Sequence, residues 1–199
     1  MSPHCKACGN QTQTVHHVLN NCPCHLNLYT WRHDNVLLSL HTFLATHIKH
    51  CDIHVDLVTT ENRIFLESHN DTIPCDIFPT ALRPDLVIID RKEKKIVIIE
   101  LTIPFERNFV DAQRRKSAKY VSVIAGPEEA GYVCTFFSLE VGSRGVICHG
   151  AFKFLKGLSG ASRQEVKNAL QQLSQVAIKC SFIIFKERDN AHAKYSIIL

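Results

Sequence analysis

The segment Arg83-Pro84-Asp85-Leu86-Val87-Ile88-Ile89-Asp90-Arg91-Lys92-Glu93-Lys94-Lys95-Ile96-Val97-Ile98-Ile99-Glu100 decides the fold. Two short apolar runs, rich in β-branched residues, flank a charged turn, a pattern that predicts a β-hairpin with a buried face. A hairpin returns the chain to its starting end, so Asp85 and Glu100 are expected side by side. Two carboxylates closing a buried hairpin are costly unless a cation lies between them. Oxygen donors suit a hard divalent ion, Mg²⁺ or Mn²⁺.

Outward from the hairpin, the pattern alternates between helix and strand. Val36, Leu37, Leu40, Phe43, Leu44 and Ile48 recur at helical spacing and predict an amphipathic helix over roughly 29–49. Ile53, Val55 and Leu57 alternate with polar residues, as do Ile64 and Leu66 beyond a Thr60-Glu61-Asn62 turn, and both read as strands. After Glu100 come Pro104 and a helix over roughly 107–124, which Gly126-Pro127 is expected to end. A strand over 132–141, a short helix over 151–158 and a last amphipathic helix carrying Val166, Leu170, Leu173, Val176, Ala177 and Cys180 complete the order. The tail from Asp189 has no clear pattern. The expected class is α/β, a mixed sheet flanked by helices.

The 199 residues suffice for one core-bearing domain with a small appendage, and 45% hydrophobic with 21% charged residues is ordinary for a globular chain. A net charge of +4 permits a nucleic-acid partner without demanding one. No segment approaches the ~18 apolar residues of a membrane span, and the N-terminus has no signal-peptide character. Nine cysteines without such a signal point to a reducing compartment and, where they cluster, to metal. Cys51, Cys75, Cys134, Cys148 and Cys180 stand singly and read as core residues.

Residues 1–24 hold four of the nine cysteines and three histidines, with too few large apolar residues for a core of their own. Cys5, Cys8, His17 and Cys22 form a Cys₂-His-Cys set that suits a closed tetrahedral Zn²⁺ site, and zinc would supply the missing folding energy. His17 and Cys22 are spaced for one helical turn; His16 and Cys24 are rival ligands. Residues 1–24 are therefore read as a zinc knuckle and 25–199 as the main domain.

Many metal nucleases place a lysine two residues after the second acid, but this strand continues Glu100-Leu101-Thr102. The following helix offers Lys116, Lys119 and Tyr120 on one face, flanked by Arg114 and Arg115. An ammonium packed over the hairpin mouth would orient the attacking water and stabilise phosphate charge. Arg32-His33-Asp34 lies in the first turns of the first helix. Its acid can be explained by the helix dipole, or the group can face the metal cleft, with Arg32 gripping a phosphate.

Taken in order, Cys5/Cys8/His17/Cys22, Arg32-His33-Asp34, Arg83-Pro84-Asp85, Glu100 and Ala112-Gln113-x2-Lys116-x2-Lys119-Tyr120 resemble the zinc knuckle and restriction-like endonuclease at the C-terminal end of R2-type non-LTR retrotransposon polyproteins. The chain departs from many members at Gln113, where they have Tyr. The resemblance implies a PD-(D/E)xK core whose lysine has migrated to the helix. It implies Asp85 and Glu100 as Mg²⁺ (or Mn²⁺) ligands, Lys116 as the water-activating group and Lys119 as a second candidate. Arg32, His33, Arg114, Arg115 and Tyr120 would contact nucleic acid. The implied activity is nicking of target DNA for target-primed reverse transcription, in the nucleus, with no membrane partner. Element RNA would be engaged through upstream regions of a longer polyprotein, of which this chain would be a piece. The competing expectations are a nucleic-acid-binding module that no longer cuts and a zinc-stabilised protein-interaction domain.

Overall fold

A computed structural model describes residues 4–57 and 83–190. The expected strand around Ile64 and Leu66, the Thr60-Glu61-Asn62 turn and Cys75 lie outside the described residues, as does the tail beyond 190. The element order is helix α1 (Leu26–His47), strand β1 (Asp52–Val55), strands β2 (Leu86–Asp90) and β3 (Lys95–Thr102), helix α2 (Phe109–Glu129), strand β4 (Val133–Glu140), and helices α3 (Ala151–Ser159) and α4 (Arg163–Lys186).

The expected hairpin is present. β2 and β3 pair antiparallel from Leu86 opposite Ile99 to Asp90 opposite Lys95. In the turn Asp90 Oδ1 accepts the Glu93 N–H at 2.9 Å, and Lys94 takes a left-handed φ of 47°. β1 adds antiparallel to β2, and β4 adds parallel to β3 on the other side, giving the order β1-β2-β3-β4. A parallel pair needs a crossover, and α2 provides it.

The period of two along the strands sorts their side chains into two cores. Leu86, Ile88, Ile99, Leu101, Leu139 and Val141 pack with α1, α3 and α4. Val87, Ile89, Ile96 and Ile98 pack with Tyr120 of α2 on the opposite face. Burial on both faces explains why β2 and β3 read as continuous apolar runs. The fold is thus a four-stranded mixed sheet with helices on both faces, as the patterning predicted at that level.

Three boundaries differ from expectation. α1 begins three residues early, at Leu26, and α4 extends to Lys186, its start fixed by a capping box between Ser162 and Glu165. α2 does not stop at Gly126-Pro127: the helix runs through both to Glu129. Its stop is Gly131, with φ 79°. The Gly131 N–H bonds the Glu128 carbonyl and the Tyr132 N–H bonds the Pro127 carbonyl, each at 2.9 Å, a Schellman closure that favours glycine at this position.

The N-terminal segment packs on this frame. Val18 and Leu19 join Leu28 of α1 and Ile184 of α4 in a small apolar cluster. Lys6 and Gln13 both reach the Asp189 carboxylate, at 3.1 and 3.0 Å. Among the described residues no helix is long and apolar enough to cross a membrane.

Candidate functional site

One step beyond the Leu86–Ile99 pair, Asp85 and Glu100 stand opposite each other. The Leu101 N–H donates to Asp85 Oδ2 at 2.7 Å, and the Asp85 N–H donates to Glu100 Oε2 at 3.3 Å. Each carboxylate is thus oriented by the backbone of the other strand. The Arg83-Pro84-Asp85 turn is pinned from two more sides. The Asp56 N–H bonds the Asp85 carbonyl at 2.9 Å, and Arg83 pairs with the Asp56 carboxylate.

Two cations converge on the acids from opposite helices. Lys116 of α2 forms an ion pair with Glu100 Oε1. His33 of α1 lies between two carboxylates, Nε2 at 3.4 Å from Asp85 Oδ2 and Nδ1 at 3.1 Å from Asp34 Oδ1. Burial alone would lower the His33 pKa. The hydrogen bonds and charges of Asp34 and Asp85 outweigh it and lift the group to about 10, so the imidazolium is the neutral-pH form. Two acids with two cations between helix faces can hold a divalent oxygen-ligated ion only if a cation yields, and Lys116, on a flexible stem and paired with one carboxylate where His33 is paired with two, is the freer to move.

The His33 pairs set a pH dependence. The folded pKa lies above the ordinary value of about 6.5, so the stabilisation is fully present below pH ~6.5 and is lost as pH rises through about 10. The urea midpoint of the native chain is expected to fall more steeply between pH 7 and 10.5 than that of His33→Asn, because lysines, tyrosines and cysteines titrate alike in both. Equal slopes would remove the ion pair from the account.

The remaining expected contacts divide by burial. Arg114 and Arg115 are exposed on α2, and Lys119, also exposed, lies with its ammonium 4.9 Å from the Tyr120 ring centroid. Tyr120 corrects its expected role. Its ring is fully buried and stacked on Phe136 at 5.3 Å, so it offers no face to a base. Its hydroxyl bonds the Arg83 carbonyl at 3.3 Å, tying α2 to the turn that carries Asp85. Arg32 is likewise not an open-surface residue: it is 2% exposed, with Nη1 donating to Ser181 Oγ at 2.8 Å and Nη2 to the Ile103 carbonyl at 3.4 Å.

At the N-terminus, Cys5, Cys8, His17 and Cys22 place their ligand atoms all within 4.8 Å of one another and could hold a zinc ion. Cys5 Sγ and Cys22 Sγ are 3.9 Å apart. Tetrahedral Zn–S bonds of ~2.3 Å require about 3.7 Å between sulfurs. A π-helical turn, His17–Asn21, brings His17 and Cys22 to the same side. Nε2 of His17 faces Cys8 Sγ at 3.4 Å, and Nδ1 is held by Gln11 Oε1 at 2.8 Å, the outer hydrogen bond that fixes a ligand imidazole. The rivals point elsewhere. His16 meets Arg107 at 2.9 Å and packs against Phe105, and Cys24 Sγ donates to the Ala7 carbonyl at 3.3 Å. Backbone N–H of Asn10 holds the Cys8 thiol below its usual range, whereas burial pushes Cys22 up to about 12, where metal would be needed to ionise it.

Sequence reasoning missed two groupings. Cys51, read as a core residue, is half-buried beside His50 and Asp90 at the far end of β2, with ligand atoms within 4.8 Å. Only the register, which sets Asp52 opposite Ile89, brings these three together. Glu140 is buried opposite Thr102, its carboxyl raised by burial and bonded by Ser138. A lone acid ending a strand was the available signal. Compared with known protein families and with curated protein sequences, the chain matches no family model and no curated protein.

Proposed function

We propose that the chain is a metal-dependent DNA endonuclease with a PD-(D/E)xK-like core, of the type that nicks target DNA for a non-LTR retrotransposon. One observation carries this reading: Asp85, Glu100 and Lys116, from two strands and the crossover helix, meet at one point although 31 positions separate the first from the last. Solvated acids and lysines have no reason to converge at a sheet end, where Glu100 is 1% exposed.

The two carboxylates fit a hard divalent ion in donor type, and Asp85 and Glu100 would hold it. Bound there, Mg²⁺ or Mn²⁺ would lower the pKa of a water and polarise the phosphate. Attack of a water oxygen on phosphorus would break the P–O3′ bond, the water giving up its proton to solvent and the leaving 3′ oxygen taking one from solvent. Lys116, displaced from Glu100, is near enough to orient that water or to balance charge on the phosphate. His33, with Nε2 3.4 Å from Asp85 Oδ2, would hold that carboxylate in place. Arg114, Arg115 and Lys119, exposed on α2, would meet backbone phosphates.

The test is nicking of supercoiled plasmid by the zinc-loaded chain in Mg²⁺ or Mn²⁺, beside Asp85→Ala. Metal-dependent nicking that disappears in the variant is the expected result. If neither protein cuts but both retard DNA on a gel, the chain is a binding module built on the same residues.

A further inference from the structure

A cleft of about 360 Å³ opens beside the acidic pair, walled by Asn20 of the zinc-binding segment, Arg32 and His33 of α1, Thr102 and Ile103 at the exit of β3, and Lys116 of α2. Three of these side chains carry a buried polar atom that no described residue satisfies: Arg32 Nε, Asn20 Oδ1 and Thr102 Oγ1. Eight described residues carry such an atom, and three of the eight line this one cleft.

Arg32 gives that ligand its sign. Its hydrogen bonds go to neutral oxygens, Ser181 Oγ and the Ile103 carbonyl, and among the described residues it forms no ion pair. The acid whose field reaches it, Glu106, is taken by Arg144 at 2.7 Å. His33 and Lys116, by contrast, have carboxylate partners. A buried cation with no anion is strongly unfavourable, and an arriving anion would remove the imbalance. The donor and hydroxyl atoms suit phosphate oxygens, and the Asn20 acceptor suits an N–H of the attached nucleotide.

We infer that this cleft is a phosphate subsite for the DNA strand, next to the scissile position, with Arg32 as its charge and Asn20 as the contribution of the zinc-binding segment. The identity of the ligand as DNA rests on the endonuclease reading. The two segments are coupled at one atom: Asn20 Nδ2, at 2.8 Å, and Arg32 Nη2 both donate to the Ile103 carbonyl. The zinc-binding segment therefore helps to build the site that holds the strand.

The experiment is fluorescence anisotropy of a labelled single-stranded oligodeoxynucleotide with zinc-loaded protein in Ca²⁺, in the Asp85→Ala background, so that cleavage plays no part. Arg32→Met is expected to weaken binding about tenfold and to reduce the salt slope by about one. Its urea midpoint should be unchanged or raised, because an uncompensated buried charge is gone. A merely structural arginine would instead lower the midpoint and spare the salt slope. Asn20→Asp, which keeps the shape and puts a carboxylate in the cleft, should weaken binding as much and decides the matter if Arg32→Met does not fold. Native affinity and salt slope in Asn20→Asp and in any folded Arg32→Met would overturn the subsite, while plasmid nicking by the native chain would leave the endonuclease reading standing. Absence of DNA binding by the parent protein would overturn both.

Discussion

Glu100→Gln is expected to lower metal-dependent nicking by about 10³-fold, equivalent to about 4 kcal/mol of transition-state stabilisation, while the chain stays folded. Glutamine keeps the shape of the side chain and an acceptor for the Asp85 N–H at 3.3 Å. It removes the charge from a position that is 1% exposed, where water does little to screen it. Lys116 loses its partner but is partly exposed and can be solvated. The companion variant Lys116→Met separates two roles. In the resting arrangement its ammonium neutralises Glu100, so removing it should leave Mn²⁺ binding by calorimetry as tight or tighter. If Lys116 also serves the water or the phosphate, nicking should still fall about 10²-fold. Nicking within tenfold of native in Glu100→Gln would mean that Glu100 is not a metal ligand. Loss of Mn²⁺ binding in Lys116→Met would reduce the lysine to a structural partner.

The convergence of Asp85 with Glu100 was legible in the sequence because a hairpin has few degrees of freedom. Two apolar runs and one short turn leave the ends nowhere else to go, and the register confirms it. The helix face carrying Lys116 was legible for a similar reason, since spacing along a helix is rigid. What spacing could not give was distance between elements. That His33 spans Asp34 and Asp85 depends on how α1 packs over the sheet, and its helix-start position suited a dipole explanation equally well. Arg32 and Tyr120 look like surface contacts by residue type, yet tertiary packing buries both. The end of α2 was misread because Gly126-Pro127 is a strong local breaker. The helix instead continues two residues past the proline and closes through the Pro127 carbonyl and Gly131.

The ligand spacing of the N-terminal segment was legible, but the choice between neighbours was not. His16 and His17 differ by one position, and the folded chain turns His17 to Cys8 and His16 to Arg107 and Phe105. The same geometry makes the segment a part of the main body rather than an appendage. Its apolar residues Val18 and Leu19 close on α1 and α4, and Tyr29 of α1 donates to the Val18 carbonyl at 2.7 Å. Zinc bound here would therefore stabilise contacts well beyond the four ligands.

Removal of zinc, or Cys22→Ser, is accordingly expected to lower the melting temperature of the whole chain by about 6–12 °C, the shift for roughly 3 kcal/mol in a domain of this size. The argument starts from Cys22, which is fully buried and whose thiol is pushed up to about 12 without metal. Metal replaces that proton and joins four side chains spread over 18 residues, so its loss frees a segment with little core of its own. Hydrogen exchange should then accelerate first at Leu28 and Ile184, the residues that Val18 and Leu19 cover, and at the end of α4 near Asp189. The hairpin amides of β2 and β3 should accelerate last, and only by the fall in global stability, since their two cores do not include the N-terminal segment. DNA affinity should fall together with zinc content, because Asn20 leaves the cleft wall when the turn unwinds. An unchanged melting temperature with unchanged exchange at Leu28 and Ile184 in metal-free protein would show that the cluster holds no stabilising zinc. Acceleration in β2 and β3 as large as at Leu28 and Ile184 would make the segment an integral part of one cooperative unit.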